Sequence, residues 1–391
     1  MLSNLRKNSN IHLLIGENGA GKSRVLSEFT HEIVYSEPLA KIITIANTIH
    51  NKFPALRIKN YHRLPSNKIN QTSNLLIEAI TSSSSDDKNE MSLEFMRKIL
   101  SYIGFDTMIE ISFKLDADED LSKKISSMEY TNSIDKYDII KVKNFIYKFV
   151  SIANSGQLAF NDDDTSRLTR IINLESLPVD LESENLISLL RLKYHLNKLK
   201  IVGDIKIALF KSGYRFSLNE ASSGELTLLT ILTWISMHIS KDSYILIDEP
   251  ENSLHPKWQR DYFRHLNDVF HYYEPKFICA THSPMVVSGA RSSDKNVSIY
   301  KVSESKINRI ENITGKNIEE ILKEVFQVIT PESRYFSFLI NELISKALNF
   351  SLSESAVEKE LEKLKGLTDD MNHHDIIDKV PALILEIKRN G

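Results

Sequence analysis

Apolar and polar positions recur with two different periods along this chain, and each change of period marks an element. "IHLLIG" (11–16) opens as an unbroken apolar run of strand length and leads straight into "GENGAGKS". From Lys22 onward, Val25, Leu26, Phe29 and Ile33 keep helical spacing, so the glycine-rich turn joins a strand to a helix. "KIITIAN" (41–47) predicts the next strand. "SLEFMRKILSYI" (92–103) reads as a helix, and "MIEISFKL" (108–115) as a strand in which Ile109, Ile111, Phe113 and Leu115 alternate with their neighbours. Residues 117–200 read mostly as helices, notably 134–153 and 184–199.

"DIKIALFKSGYRFSLNE" (204–220) predicts a hairpin turning at Ser212 and Gly213. An apolar helix over 224–239 follows, then strand "YILID" (244–248), a helix over 256–270 and strand "FICA" (277–280). After "NVSIYKV" (297–303) the pattern is helical to Gly391. Strands alternating with helices predict an α/β fold with a mainly parallel sheet, helical insertions and a helical C-terminal tail. There is no internal repeat, and no heptad pattern lasts long enough for an extended coiled coil.

Composition narrows the picture. A chain of 391 residues, 41% hydrophobic, can build one large domain or two ordinary ones. A net charge of −3 with mixed signs gives no ground for a polyanion-binding surface. The single cysteine, Cys279, rules out a disulfide within the chain and suits a reducing cytoplasm. "MLSNLRKNSN" lacks the apolar core of a signal peptide. The longest apolar stretch (226–239) falls short of the roughly 20 residues a membrane span needs, so a cytoplasmic protein is expected.

Three motifs carry chemistry. "GENGAGKS" (16–23) matches the G-x-x-x-x-G-K-S/T phosphate loop in full. Gly16, Gly19 and Gly21 permit the backbone turns that aim successive N–H groups, including those of Glu17, Asn18 and Ala20, at phosphate oxygens. Lys22 is expected on the β- and γ-phosphates and the Ser23 hydroxyl on Mg²⁺. "YILIDEPENSLHP" (244–256) ends an apolar strand in Asp248, suited to Mg²⁺, and Glu249, suited to an attacking water. "FICATHSP" (277–284) ends the next strand in His282, a candidate γ-phosphate sensor. A fourth stretch, "LNEASSGELTLL" (218–229), puts Ser222, Ser223, Gly224 and Glu225 at the start of the apolar helix. Such a turn can cap its own helix, or it can bind phosphate.

In order and spacing these motifs resemble the ABC-type ATPase heads, and among them the RecF, OLD and Septu-PtuA class more than the membrane transporters. The resemblance covers about 11–50 and 200–302. It implies two heads closing around two ATP molecules, each site completed by the other copy's Ser222, Ser223, Gly224 and Glu225 and its dimer-facing Ser253. It further implies that Glu249 activates water, that Asp248 and Ser23 serve Mg²⁺, and that His282 is the switch. On this basis 1–50 and 200–302 form the ATPase core, 51–199 a mostly helical insertion, and 303–391 a helical partner-binding region.

The chain also departs from the family. No aromatic precedes the phosphate loop to stack adenine, leaving Arg6 or Lys7 as substitutes. No glutamine follows the second strand, leaving Asn47 or Gln71. The tail shows no nuclease site; "DDMNHHD" (369–375) and "NDDD" (161–164) read as solvated loops. "TGKNIEEILKEVFQVITPES" (314–333) resembles the PtuA-type tail, which implies an HNH nuclease partner and phage defence. A RecF-like clamp on duplex DNA and a nucleotide-gated scaffold with little turnover are the competing expectations.

Overall fold

A computed structural model describes residues 9–48, 51–65, 72–82, 86–115, 121–128, 134–154, 167–176, 180–294, 296–304, 306–310, 334–349, 352–368 and 371–390. Its first three strands, β1 (Ile11–Ile15), β2 (Ile42–Ala46) and β3 (Tyr61–Arg63), belong to one sheet. The next four, β4 (Met108–Leu115), β5 (Arg167–Asn173), β6 (Val202–Lys211) and β7 (Tyr214–Ser217), make a second. The last four, β8 (Tyr244–Asp248), β9 (Lys276–Thr281), β10 (Val297–Ser303) and β11 (Lys306–Arg309), return to the first.

Between them run α1 (Lys22–Ser36), α2 (Thr72–Thr81), α3 (Asp86–Ile103), α4 (Leu121–Met128), α5 (Lys136–Asn154), α6 (Leu181–Arg191) and α7 (Lys193–Lys198). Then come α8 (Ser223–His238), α9 (Pro256–Phe270) and α10 (Pro284–Ser293), and finally α11 (Arg334–Leu348), α12 (Glu354–Lys365) and α13 (Met371–Asn390).

The first sheet has the order β11-β10-β1-β9-β8-β2-β3. Every neighbouring pair is parallel except the β10–β11 edge. Burial on both faces explains why its strands read as unbroken apolar runs rather than alternating ones. Ile11, Leu13 and Ile15 face one core, shared with Ile245, Ile247, Phe277 and Cys279; α8, α9 and α10 contribute to it. Leu14, Leu246 and Ile278 face the other, filled from α1 by Val25, Leu26, Phe29 and Ile33. This is the mainly parallel, helix-covered sheet of a P-loop NTPase.

Several sequence expectations need refining. Among the described residues, 117–200 is mostly helical, as expected, but "RLTRIIN" adds a strand, β5, between β4 and the helices that follow. A boundary at 199/200 cuts through the antiparallel sheet β5-β4-β6-β7, in which β4 pairs with β6. That sheet and its helices share the large core with α8, so the insertion is built into the head rather than appended to it. β3, from the same 51–199 range, extends the main sheet through β2. After β10 the chain first forms β11, where the expectation was helix throughout.

The helices α11 to α13 close around a core of their own, including Phe336, Ile340, Val357, Leu361, Ile377 and Val380. Met371 to Asp375 are the first turn of α13, not a solvated loop. His373 is buried, stacks on Phe336 at 3.7 Å and lies 2.9 Å from the Thr368 hydroxyl, which gives it a packing role. The stretches 161–164 and 314–333, and residues Arg6, Lys7 and Gln71, lie outside the described residues.

Candidate functional site

Strand register brings the chemistry together. Ile15 of β1 is level with Thr281 of β9, and Asp248 of β8 with Ala280 of β9. The chain therefore leaves three adjacent parallel strands at Gly16, His282 and Glu249, side by side at their C-terminal edge. That edge is where open α/β sheets bind ligands. A cleft of roughly 330 Å³ opens there, lined by Asn18, Gly19, Gly21, Lys22, Ser23, Lys52, Glu249 and His282.

The phosphate loop has the shape its glycines allow. Gly19 and Gly21 adopt φ of 84° and 98°, and Gly21 is the N-cap of α1 with no side chain in the way. Lys22 is buried, and its Nζ donates to the carbonyls of Gly16 at 2.8 Å and Glu17 at 3.0 Å. Burial lowers the Lys22 pKa, while the charges of Glu249, Glu251 and Asp248 oppose that shift. An ammonium held on backbone carbonyls beside three carboxylates is ready to exchange those carbonyls for phosphate oxygens.

Asp248 tests whether a divalent cation fits. It is 2% exposed, and burial pushes its pKa up to about 6, with Glu249 and Glu251 adding to the shift. A hydrogen bond with Ser23 and the charge of Lys52 work the other way. Its Oδ1 is buried without a hydrogen-bond partner among the described residues. An orphaned carboxylate oxygen beside a hydroxyl is a donor set that Mg²⁺ accepts while keeping most of its water. Among the described residues no cluster of three or more His, Cys, Asp or Glu could hold a metal by itself.

Glu249 sits in a left-handed turn, φ 53°, with its N–H on the Ala280 carbonyl at 2.9 Å. Asn252 Nδ2 donates to Glu249 Oε2 at 2.9 Å and to the Asn47 carbonyl at 3.3 Å. Asn47, at the end of β2, returns its own Nδ2 to the Asn252 carbonyl at 3.0 Å. Asn47 thus braces the loop that carries Glu249, and it does not line the cleft.

Sequence reasoning missed three residues here. Glu251 is buried; it accepts from the Thr281 hydroxyl at 2.8 Å and the His282 N–H at 2.7 Å. Asn252 holds Glu249, and Lys52 adds a second ammonium to the cleft wall. The third acid of "DEPE" was a visible signal for Glu251. Nothing local marks Lys52, which the β2–β3 connection brings in.

None of Ser222, Ser223, Gly224 and Ser253 lines the cleft of its own chain. Ser222 caps α8: its hydroxyl accepts from the Glu225 N–H at 3.2 Å and donates to Glu225 Oε2 at 3.0 Å. Glu225 is buried and bound through Oε1 to Lys211 at 2.7 Å. Both its oxygens are spent inside its own chain, which makes it a cap rather than a nucleotide contact. Ser222, Ser223 and Ser253 are exposed, Ser253 in a left-handed turn of φ 66°. Gly224 brings these pieces together, since its Cα lies against the Ser253 carbonyl and the Trp258 ring.

The family model described as "AAA domain, putative AbiEii toxin, Type IV TA system" matches residues 111–288, a span that holds Ser222, Asp248, Glu249 and His282. The Septu protein PtuA of Bacillus mycoides is 22% identical over 95% of this chain and 48% of its own length. The chain resembles the ABC-like ATPases of the Septu class. Protein ea59 of Escherichia phage lambda is 23% identical over 93% of this chain and 62% of its own. The "Retron Ec83 probable ATPase" of Escherichia coli is 26% identical over 46% of this chain and 33% of its own. The chain thus spans about half to three fifths of the length of the first two relatives. Among solved structures, a nucleotide-free ATP-binding cassette from an ABC transporter aligns over 81% of this chain and 84% of its own, with 14% identity and a TM-score of 0.31. Among the described residues no helix is long and apolar enough to cross a membrane.

Proposed function

We propose that this protein is an ATP-hydrolysing ABC-type head whose nucleotide state controls an associated effector nuclease, in defence against phage. The observation that carries the ATPase reading is the meeting of Lys22, Ser23, Asp248, Glu249 and His282 at one edge of three adjacent parallel strands. The N–H groups of residues 16–23 and the Lys22 ammonium hold the triphosphate. Ser23 and Asp248 would hold Mg²⁺, which would supply positive charge to offset that of the phosphates. Glu249, fixed by Asn252, accepts a proton from the attacking water, and His282 hydrogen-bonds the γ-phosphate end of the cleft.

A second copy of the chain completes each pocket with the N–H groups of Ser223 and Gly224, the Ser222 hydroxyl and Ser253. Support for that comes from the position of the three serines, exposed and away from their own chain's cleft, with the buried Gly224 between the first two and Ser253. The regulatory half of the reading rests on the likeness to PtuA, with the α11–α13 bundle as the docking surface for an HNH-type nuclease. Direct DNA contact is not part of it.

Glu249→Gln separates an enzyme from a binding scaffold. The variant should bind ATP with unchanged affinity and lose turnover by at least about 100-fold, the scale of a missing general base. A parent protein no faster than the variant in a phosphate-release assay would remove the hydrolytic role and leave a scaffold. Co-purification of the full chain with an HNH nuclease encoded beside it tests the partner.

A further inference from the structure

Glu251 is the carboxylate that the proposed reaction leaves without a task. Its side chain is 5% exposed and stands on the loop after β8, three residues beyond Asp248. It reaches across to the end of β9 and meets three groups there. Oε2 accepts from the Thr281 hydroxyl at 2.8 Å. Oε1 accepts from the His282 N–H at 2.7 Å and lies 3.1 Å from His282 Nδ1. The arrangement is braced further: Thr281 Oγ1 accepts the Ser283 N–H at 3.0 Å, and the Ser283 hydroxyl donates to Gln259 at 2.7 Å. Gln259 in turn donates to the Leu254 carbonyl at 2.9 Å, back on the loop that carries Glu251. An anion buried this deeply is costly unless fully bonded, and here each bond it makes fixes His282 or the residue before it.

We infer that Glu251 is a positioning residue that sets the tautomer and the aim of His282. A carboxylate facing Nδ1 requires the ring proton there, as an aspartate does for the histidine of a hydrolytic triad. With Nδ1 engaged, Nε2 is the ring nitrogen left for the cleft that His282 lines. It then meets a phosphate oxygen or the attacking water from one fixed direction. Because Glu251 shares a loop with Asp248 and Glu249, a shift of that loop moves His282 with it. The switch and the hydrolytic carboxylate are thereby one mechanical unit. This inference rests on the proposed ATPase reading for its catalytic consequence; the tautomer does not.

Glu251→Leu is the informative variant, and Glu251→Gln is its control. Leucine offers Nδ1 no acceptor. Glutamine removes the charge, but its amide oxygen at the Oε1 position can still accept from the His282 N–H and from Nδ1–H while its NH₂ meets Thr281 Oγ1. Ring-nitrogen NMR of the full chain, with the His282 signal assigned through His282→Asn, should show the Nδ1–H tautomer in the parent and in Glu251→Gln, and Nε2–H in a Glu251→Leu protein whose cooperative thermal melt shows that it is folded. Turnover in Glu251→Leu should fall roughly 10- to 100-fold with KM nearly unchanged, and Glu251→Asp and Glu251→Gln should each recover part of it. Adding Glu251→Leu to His282→Ala should cost no more than Glu251→Gln costs alone, the share that the lost charge exerts through Lys22 and Asp248.

An Nε2–H or rotationally averaged ring in the parent overturns the inference. So do additive losses in the double variant, a parent-like turnover in Glu251→Leu, or a loss in Glu251→Gln as large as that in Glu251→Leu. Binding of labelled ATP, lost in Lys22→Ala, is the separate control for the ATPase reading. A parent that has the Nδ1–H ring but does not hydrolyse ATP sinks that reading and the catalytic half of this one, and leaves the pairing in place.

Discussion

Single residues show how much strain the cleft holds before a ligand arrives. Asp248 ionises near pH 6 rather than at its ordinary 3.8, so keeping it charged at neutral pH costs on the order of 3 kcal/mol. Asp248→Asn removes that cost and keeps an acceptor for Ser23. Nucleotide-free protein carrying it should melt a few degrees higher, and the added stability that ATP and Mg²⁺ give the parent should be lost; differential scanning calorimetry checks both. His12, on β1, shows the opposite sign. Burial first, then the charge of Lys276, lower its pKa from 6.5 to about 4, against a raising backbone bond at Ser9. The unfolded chain therefore binds the extra proton between pH 6.5 and 4, and stability falls as pH falls through that window. Between pH 7 and 5 the loss should be about 2 kcal/mol, and urea unfolding of His12→Leu should lack that share of it. The groups proposed to react stand out in the sequence because each closes its own apolar strand within a few residues. The bonds of Glu251 and Asn47 do not, since their partners lie 31 and 205 residues away and only the sheet brings them near.

At the scale of elements, α8 is held in place by a glycine rather than by its cap alone. A Cβ on Gly224 would stand 2.8 Å from the Ser253 carbonyl and 2.9 Å from the Trp258 ring. Gly224→Ala must therefore push the start of α8 off the loop before α9, at a cost of about 1–3 kcal/mol in chemical denaturation. The same shift separates Ser222 and Ser223 from Ser253, so turnover should fall further than stability alone explains. A variant with parent-like stability would mean the approach is looser than these distances. The elements that sequence reading recovered, such as β4 over 108–115 and the β6–β7 hairpin, had clear alternation or a Ser-Gly turn to mark them. β5 escaped because Arg167 and Arg170 break its apolar pattern. Arg167 is buried all the same, donating to the carbonyls of Ser112 at 3.0 Å and Asp204 at 2.8 Å. β3 and β11 are three- and four-residue edge strands, shaped by pairing with a neighbour more than by their own pattern.

For the whole molecule the decisive question is whether one copy suffices. Lys22, Asp248, Glu249 and His282 gather around the cleft from within one chain, while Ser222, Ser223 and Ser253 face solvent elsewhere on it. If those exposed groups complete a second copy's pocket, turnover per molecule must rise with protein concentration, because the working unit forms by association. Trapping ATP with Glu249→Gln should then shift the 44.8 kDa chain to about twice that mass in sedimentation, and ADP should not. Ser223→Glu tests the contact without touching the cap, which runs through Ser222 and Glu225. Its carboxylate would meet the opposing γ-phosphate, so association should vanish and turnover should fall at least about tenfold, while each copy still binds ATP through its own Lys22. A Ser223→Glu protein that stays monomeric with ATP bound and hydrolyses at the parent's rate would show that each head works alone. The exposed serines would then be ordinary surface beside a well-capped helix.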